Sequence, residues 1–227
     1  MEKGKFIVIE GTDGSGKTTQ FEKLVLRVES PLALFDFPQY DKPSSYFVKE
    51  YLAGHYGTAE EVGPYKASLF YAIDRFDVAP AINKALAEGK TVFSNRYVGS
   101  NMGHQGAKIE DKKERLKYFN WLYDLEYNIF GIPKPDLNIV LHVPAKTAQE
   151  FASKQNKGGY AAGEKRDIHE GNLKHLEHAE MVYLEIAEIF PKDFQLVECV
   201  ENGKLLSIDA VHEKVWKAVS KILNGNL

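Results

Sequence analysis

The chain has 227 residues, of which 44% are hydrophobic and 27% are charged, a composition typical of globular domains. Its formal net charge of −3 argues against a general nucleic-acid-binding protein, which would carry a basic excess. The single cysteine, Cys199, excludes a disulfide framework within the chain, and no apolar run approaches the roughly 20 residues that cross a bilayer. We therefore expect one cytoplasmic domain over residues 1–227 that binds neither nucleic acid nor membranes.

Short apolar segments alternate with longer helical patterns along the chain. The predicted strands are 5–10, 32–37, 91–95, 137–143 and 194–200, and the predicted helices are 17–29, 43–53, 64–88, 111–130, 145–155, 168–190 and 208–223. This alternation predicts an α/β fold, with a parallel sheet of about five strands and helices on both faces. Residues from about 153 to 168 are polar, Gly-rich and basic, so they form either a surface loop or a short basic lid over a phosphate ligand.

The first strand is followed by GTDGSGKT at residues 11–18, which fits the phosphate-loop pattern G-x-x-x-x-G-K-[ST]. A strand before the motif and a helix after it are the context that a phosphate loop requires. Backbone amides and the helix N-terminus would hold the phosphates of ATP, while Lys17 would contact them and Thr18 would bind Mg²⁺. The expected ATP-binding residues are Gly11, Thr12, Asp13, Gly14, Ser15, Gly16, Lys17, Thr18 and Thr19.

An aromatic residue and an arginine on one predicted helix suggest a second binding site. Tyr71 and Arg75 lie four residues apart, hence on one helical face. A ring beside a guanidinium can stack on a nucleobase and read its edge. Alternatively, Tyr71 belongs to the core and Arg75 pairs with Asp74 or another acid.

Polar residues also crowd the end of the third predicted strand. The segment 95–106 reads NRYVGSNMGHQG, and a helix beginning after Gly99 would align two pairs of polar side chains, Ser100 with His104 and Asn101 with Gln105. An arginine beside the phosphate loop indicates that a second anion binds there. The chain lacks the N-K-x-D motif expected of a GTPase.

These motifs together resemble those of thymidylate kinases, within the phosphate-loop nucleoside-monophosphate kinase family. The matching positions are Asp13, Phe37, Pro38, Tyr71, Arg75, Asn95, Arg96, Tyr97, Ser100, Asn101, Pro135, Asp136, Arg166, Asp167 and Glu170. The resemblance spans residues 5–190 and implies a three-layer P-loop NTPase fold. It also implies a homodimer that uses ATP and Mg²⁺ to phosphorylate dTMP to dTDP, a step in dTTP synthesis.

The resemblance implies a role for each matching residue. Tyr71 and Phe37 would contact the thymine ring, and Arg75 and Asn101 would form hydrogen bonds with it. Asp13 would hold the deoxyribose 3′-hydroxyl or the metal shell. Arg96 and Tyr40 would bind the acceptor phosphate. The expected catalytic residues are Lys17, Asp13, Arg96 and Arg166. The expected substrate-binding residues are Asp13, Phe37, Tyr40, Tyr71, Arg75, Arg96, Ser100, Asn101, His104 and Gln105.

Three departures from the family pattern leave alternatives open. Gly14 stands where one branch of the family carries a catalytic arginine, so Arg166 of the lid segment becomes the candidate. His104 replaces a tyrosine often found near the sugar, which keeps a broader deoxynucleoside-monophosphate kinase, acting for example on dUMP, as an alternative. Asn95 replaces the usual aspartate and would reach Mg²⁺ through a bound water. Its missing charge predicts weak metal retention and leaves open a nucleotide-binding protein with weak catalysis.

Overall fold

The computed structural model describes residues 3–149 and 173–224. Five strands form one parallel sheet in the order β2-β3-β1-β4-β5, as expected for the predicted fold. The strands are β1 Phe6–Glu10, β2 Leu32–Asp36, β3 Thr91–Asn95, β4 Leu137–His142 and β5 Phe194–Glu198. The helices are α1 Lys17–Arg27, α2 Tyr46–Leu52, α3 Ala59–Ala87, α4 Val98–Gly106, α5 Lys112–Tyr123, α6 at residues 145–149, α7 Leu173–Ile189 and α8 Ile208–Leu223.

The central strand β1 is buried along its whole length because both of its faces are covered. Phe6 and Val8 pack with residues of α3, α4, α5 and α7, whereas Ile7 and Ile9 pack with residues of α1 and α8. Successive side chains of a strand point to opposite faces, so a continuous apolar run suits a strand between two helical layers. The predicted three-layer arrangement is thus confirmed.

The longest helix, α3, begins earlier than the sequence pattern predicts. Thr58 caps it through two reciprocal hydrogen bonds, since its Oγ accepts from the amide of Glu61 and its own amide donates to the Glu61 carboxylate. The first turn is separated from the rest by Gly63, whose φ of 75° interrupts the helical backbone just before Pro64. The predicted start at residue 64 therefore marks the second part of a kinked helix.

Other boundaries also differ from the prediction. The segment predicted as one helix at 43–53 starts with a 3₁₀ turn over Pro43–Ser45 before α2. The helix predicted at 111–130 changes after Tyr123 into a π-helical segment, Asp124–Ile129. The predicted strand 194–200 ends at Glu198, and the next residues form a hairpin of Val200–Glu201 with Lys204–Leu205. The predicted lid from about 153 to 168, with Arg166, lies outside the described residues, as do parts of the predicted helices 145–155 and 168–190.

The sheet places the ends of three strands side by side. Asp36 of β2 lies opposite Asn95 of β3, and Asn95 lies opposite Ile9 of β1, one residue before β1 ends. Parallel α/β sheets bind ligands at this carboxyl edge. Elsewhere, the Cys199 thiol is buried, and burial raises its pKa to about 12. None of the described helices is long and apolar enough to cross a membrane.

Candidate active site

The phosphate loop connects the buried end of β1 to the first residue of α1. Gly11, Gly14 and Gly16 have φ values of 140°, 80° and 86°, a region that residues with a side chain rarely adopt. Gly16 also forms the N-terminal cap of α1, which leaves the first amides of the helix without a side-chain partner. The loop therefore has the backbone conformation that an anion-binding loop requires.

The packing at Gly14 explains one departure from the family pattern. An added Cβ at this position would meet the main-chain oxygen of Ala148 in α6. A backbone oxygen cannot move aside as a flexible side chain can, so an arginine does not fit at position 14 unless α6 shifts. The phosphate loop therefore has no room for the arginine that one branch of the family carries at this position.

Lys17 is buried at the start of α1, with 7% of its side chain exposed. Its Nζ atom donates to the carbonyl of Thr12 at 2.7 Å and lies 4.0 Å from a carboxylate oxygen of Asp13. Burial, together with the positive charge of Arg96, lowers the pKa of Lys17 to about 7. A bound phosphate would reverse this effect by placing negative charge beside the ammonium group.

Arg96 follows β3 in a left-handed backbone conformation, with a φ of 65°. Two hydrogen bonds hold this conformation, since the Arg96 amide donates to the Ile9 carbonyl at 2.9 Å and its carbonyl accepts from the Ser94 hydroxyl at 2.6 Å. A non-glycine residue pays a conformational cost in this region, and such strain is concentrated at functional sites. The turn directs Arg96 to the phosphate loop, as the next contacts demonstrate.

The Arg96 guanidinium contacts three side chains of the predicted site. It forms an ion pair with Asp13, while its NH1 atom lies 3.3 Å from the Ser100 hydroxyl and 3.2 Å from Nε2 of His104. Partial burial opposes ionisation of Asp13, whose side chain is 58% exposed, yet the charge of Arg96 holds the pKa of Asp13 well below its ordinary value. Burial and the same charge lower the pKa of His104, so its neutral ring accepts the hydrogen bond from Arg96.

A cavity of about 270 Å³ opens beside this cluster. Its walls include all ten of the predicted substrate-binding residues: Asp13, Phe37, Tyr40, Tyr71, Arg75, Arg96, Ser100, Asn101, His104 and Gln105. Pro38, Leu52, Asp74 and Tyr97 complete the lining. Aromatic walls with a few converging polar groups are typical of small-molecule sites. The cavity therefore brings the three sequence clusters together next to the phosphate loop.

Arg75 in this cavity is held by an acid that the sequence did not identify. Its Nε and NH2 atoms donate to the two carboxylate oxygens of Glu126 at 2.6 and 2.5 Å, and NH1 donates to the Tyr97 carbonyl at 3.3 Å. These contacts use three of the five N–H groups of the guanidinium and leave two for a ligand. Arg75 thus forms an ion pair and also lines the cavity.

Asp74 precedes Arg75 and is one of the acids that could pair with it, but the structure gives it a different role. Its carboxylate accepts from the amide of Gln39 at 2.8 Å and from the hydroxyl of Ser44 at 2.6 Å. These bonds fix the loop that follows β2, which contributes Phe37 and Tyr40 to the cavity. Asp74 and Arg75 are neighbours in sequence, but Asp74 holds the loop after β2 whereas Arg75 pairs with Glu126 on another wall of the cavity.

Glu10, at the end of β1, organises the turn from β3 into α4. It is fully buried and accepts hydrogen bonds from the amides of Tyr97 and Ser100 at 2.8 and 3.0 Å. The hydroxyls of Ser100 and Tyr183 donate to its second oxygen at 2.7 and 3.3 Å. Burial raises the pKa of Glu10. The acid immediately before the phosphate loop was a signal that sequence reasoning missed.

Asn95 forms a pair with another residue absent from the prediction, Asp36. The Asn95 side chain is 9% exposed, and its Nδ2 atom donates to Oδ1 of Asp36 at 3.0 Å. Partial burial raises the pKa of Asp36, although the residue reaches solvent, whereas the charges of Arg96 and Lys17 oppose this rise. The end of β3 is therefore coupled directly to the end of β2.

Several buried polar atoms around the phosphate loop fit a bound nucleotide and its cation. The hydroxyls of Thr12 and Ser15 and the carbonyl oxygen of Asn95 have no hydrogen-bond partner among the residues that the structure describes. Buried polar atoms normally have a hydrogen-bond partner, so these atoms are available to a ligand that binds at the loop. Hydroxyl, amide and carboxylate oxygens are also the ligands that Mg²⁺ prefers.

The comparisons with known proteins agree with this geometry. The family model for thymidylate kinase matches residues 9–215. The chain is 30% identical over 227 residues to a probable thymidylate kinase of Pyrococcus horikoshii, with 98% of this chain and 99% of the relative covered. It is 29% identical over 185 residues to a thymidylate kinase of Mycobacterium tuberculosis, with 80% and 85% covered.

A solved structure has the same fold. The thymidylate kinase from Candida albicans superposes with a TM-score of 0.75 at 24% identity, with 99% of this chain and 93% of that chain covered. A family match that extends from β1 into α8 includes every element that lines the cavity and the phosphate loop. The chain therefore belongs to the thymidylate kinase family of nucleoside-monophosphate kinases.

Proposed function

We infer that this protein transfers the γ-phosphoryl group of ATP to dTMP and releases dTDP and ADP. The observation that carries this function is the position of Arg96, which lies between the phosphate loop and the base-sized cavity and contacts groups of both. Family membership favours this reaction over the broader deoxynucleoside-monophosphate kinase and over the nucleotide-binding protein with weak catalysis.

The acceptor determines what the site must do. A phosphate oxygen of dTMP is already ionised near neutral pH, so the reaction needs no general base. The task is to hold two polyanions in line and to neutralise their charge. Lys17 would contact the donor phosphates, and Arg96 would leave its contact with Asp13 to bind the acceptor phosphate, assisted by Tyr40. Asp13 would then be available to the sugar 3′-hydroxyl.

The remaining charge would come from Mg²⁺ and from the segment outside the described residues. Thr18 and Asn95 are the residues proposed to hold the metal, Asn95 through a water. When bound, Mg²⁺ supplies charge neutralisation at the phosphates. Arg166 is proposed as a further cation that approaches the transferring group from a lid. Closure of such a lid would exclude water and prevent hydrolysis of ATP.

The cavity walls support thymine recognition. Phe37 and Tyr71 provide aromatic surface for the ring, and the two N–H groups of Arg75 not used by Glu126 and Tyr97 can donate to a thymine carbonyl. The amide of Asn101 lies on the same wall, and its Nδ2 atom donates to the Ser68 carbonyl at 3.1 Å. The Asn101 carbonyl oxygen would thus face the ring N–H group.

A homodimer is part of the proposal and has support on α3. Tyr65, Leu69, Ile73 and Phe76 recur at helical spacing and are 37–52% exposed. An exposed apolar stripe of this kind is typical of a protein–protein interface. A cytoplasmic location is likewise proposed, since the buried Cys199 thiol suits a reducing compartment.

A coupled assay across nucleoside monophosphates tests the function. Purified protein with ATP and Mg²⁺ should turn over dTMP with a kcat/KM at least tenfold above that for dUMP, because Phe37, Pro38 and Leu52 line the cavity and can contact the 5-methyl group. Equal turnover of several deoxynucleoside monophosphates would instead support the broader kinase. Tight ATP binding without turnover of any acceptor would contradict both kinase functions.

A further inference from the structure

The metal site has a neutral amide at Asn95, but a carboxylate lies one strand away, at Asp36. We propose that Asp36 supplies the negative charge of the outer Mg²⁺ shell in this protein and that Asn95 positions it. Asp36 has this role only within the proposed phosphoryl transfer, on which the inference rests. The consequence is that the metal deficit predicted from Asn95 alone is compensated from β2.

The register of the sheet brings Asp36 to the site. It lies directly opposite Asn95, which in turn lies opposite Ile9 on the strand that leads into the phosphate loop. The hydrogen bond from Nδ2 of Asn95 to Oδ1 of Asp36, at 3.0 Å, turns the carboxylate towards β3. Asp36 is exposed to solvent, so a hydrated cation can approach it.

The other nearby carboxylates already have partners. Lys17 interacts electrostatically with Asp13, Glu10 and Asp36. Glu10 is fully buried and accepts four hydrogen bonds, three from the start of α4 and one from the Tyr183 hydroxyl of α7. Asp13 is paired with Arg96. Among these three carboxylates, Asp36 has neither the burial of Glu10 nor the ion pair of Asp13, and its side-chain hydrogen bond comes from the neutral amide of Asn95.

The amide of Asn95 gives an independent indication of a ligand. Its nitrogen donates to Asp36, so its carbonyl oxygen must point elsewhere. This oxygen has no hydrogen-bond partner among the described residues, although Asn95 is only 9% exposed. An unpaired buried oxygen is costly unless a ligand satisfies it. A water on the cation would satisfy it.

Manganese binding to the enzyme–ADP complex tests this role without relying on activity. Mn²⁺ replaces Mg²⁺, and electron paramagnetic resonance measures the free ion during titration. Asp36→Asn should weaken Mn²⁺ binding by about 10- to 100-fold, as the loss of an outer-shell partner typically does. The exchange variant Asp36→Asn/Asn95→Asp should recover most of the affinity, because carboxylate and amide trade places across the same hydrogen bond.

Glu188→Gln on α7 provides a matched control, because it removes one negative charge from an exposed site and should leave Mn²⁺ affinity unchanged. Binding of ADP in the absence of metal verifies that each variant is folded. If Asp36→Asn does not bind ADP, Asp36→Ser replaces it in the titration. Wild-type Mn²⁺ affinity in the Asp36 variant overturns the role of Asp36, as does an exchange variant no better than Asp36→Asn. Absence of dTMP turnover by the wild type would instead overturn the proposed function.

Discussion

At the scale of single residues, Lys17 and Arg96 show how burial prepares cations for phosphate. Both side chains are largely surrounded by protein, and both lie beside the Asp13 carboxylate. Bound phosphates would compete with this carboxylate for the two cations. Burial lowers the pKa of Lys17 to about 7. Burial also opposes the charge of Arg96, but its guanidinium is charged at any ordinary pH and Asp13 raises its pKa further. One cation is therefore sensitive to ligand and pH, and the other holds its charge.

The lowered pKa of Lys17 predicts proton uptake on nucleotide binding. In the free enzyme Lys17 loses its proton above about pH 7, and bound phosphates restore it by raising the pKa. ADP affinity should therefore fall as pH rises from about 8 to 9, by up to roughly tenfold per pH unit. Calorimetry in two buffers of different ionisation enthalpy would detect the proton. A pH-independent affinity in this range, or equal pH dependence in Lys17→Met, would contradict this prediction.

Removal of the Arg96 side chain should separate catalysis from ATP binding. Arg96→Gly should lower kcat by about 10²- to 10³-fold, because a donor that stabilises transferring charge is lost, while the affinity for an ATP analogue changes little. Glycine is the suitable replacement because it accepts the φ of 65° without the strain that any residue with a Cβ, arginine or alanine, carries there. Melting temperatures and fluorescent ATP-analogue binding serve as controls. Unchanged turnover would remove Arg96 from the mechanism.

At the scale of elements, the irregular end of α5 is the part that serves the site. The π-helical segment Asp124–Ile129 carries Glu126, which is fully buried and holds Arg75 of α3. Short π-helical segments often occur at functional sites. The sequence pattern predicts a regular α-helix through residue 130, and such a helix would set Glu126 at a different angle. The change of helical period is therefore tied to the positioning of the base-reading arginine.

Glu126→Gln tests this positioning role. We expect a loss of about 3 kcal/mol in the free energy of unfolding, because a buried guanidinium loses its carboxylate, together with a rise in the KM for dTMP that exceeds the rise for ATP. Glu185→Gln is the matched control, since it breaks the pair with the buried Arg115, whose NH2 atom lies 2.6 Å from Glu185. Denaturant unfolding and steady-state kinetics measure both. Equal effects of the two variants on the dTMP KM would contradict the positioning role.

At the scale of the whole molecule, the apolar stripe on α3 predicts self-association. Ile73→Asp should shift sedimentation from a dimer to a monomer, because a desolvated carboxylate in an apolar interface is strongly unfavourable. Leu26→Asp on α1 is the control, since Leu26 is 86% exposed and lies on the opposite face of the sheet. A wild-type protein that sediments as a monomer at micromolar concentration would contradict the proposal. So would a dimer that both variants leave intact.

The site was predictable where its residues are neighbours in sequence. The phosphate loop, the Tyr71/Arg75 spacing and the polar residues after β3 each follow from local pattern, and the ten predicted lining residues meet at one cavity. Their individual roles remain predictions. The partners Glu126 and Asp36 were missed because they lie 51 and 59 residues from Arg75 and Asn95. A pairing across such a separation has no signature in local sequence.

The sequence by itself thus determined the alternating elements, the phosphate loop and the kinase family that its motifs resemble, because hydrophobic period and short motifs act over one element or one turn. Tertiary structure alone decided which carboxylate lies beside which residue of the site. The strand register places Asp36 beside Asn95, and helix packing places Glu126 on Arg75. Charge pairing depends on distance in space, and only the folded sheet and its helices set those distances.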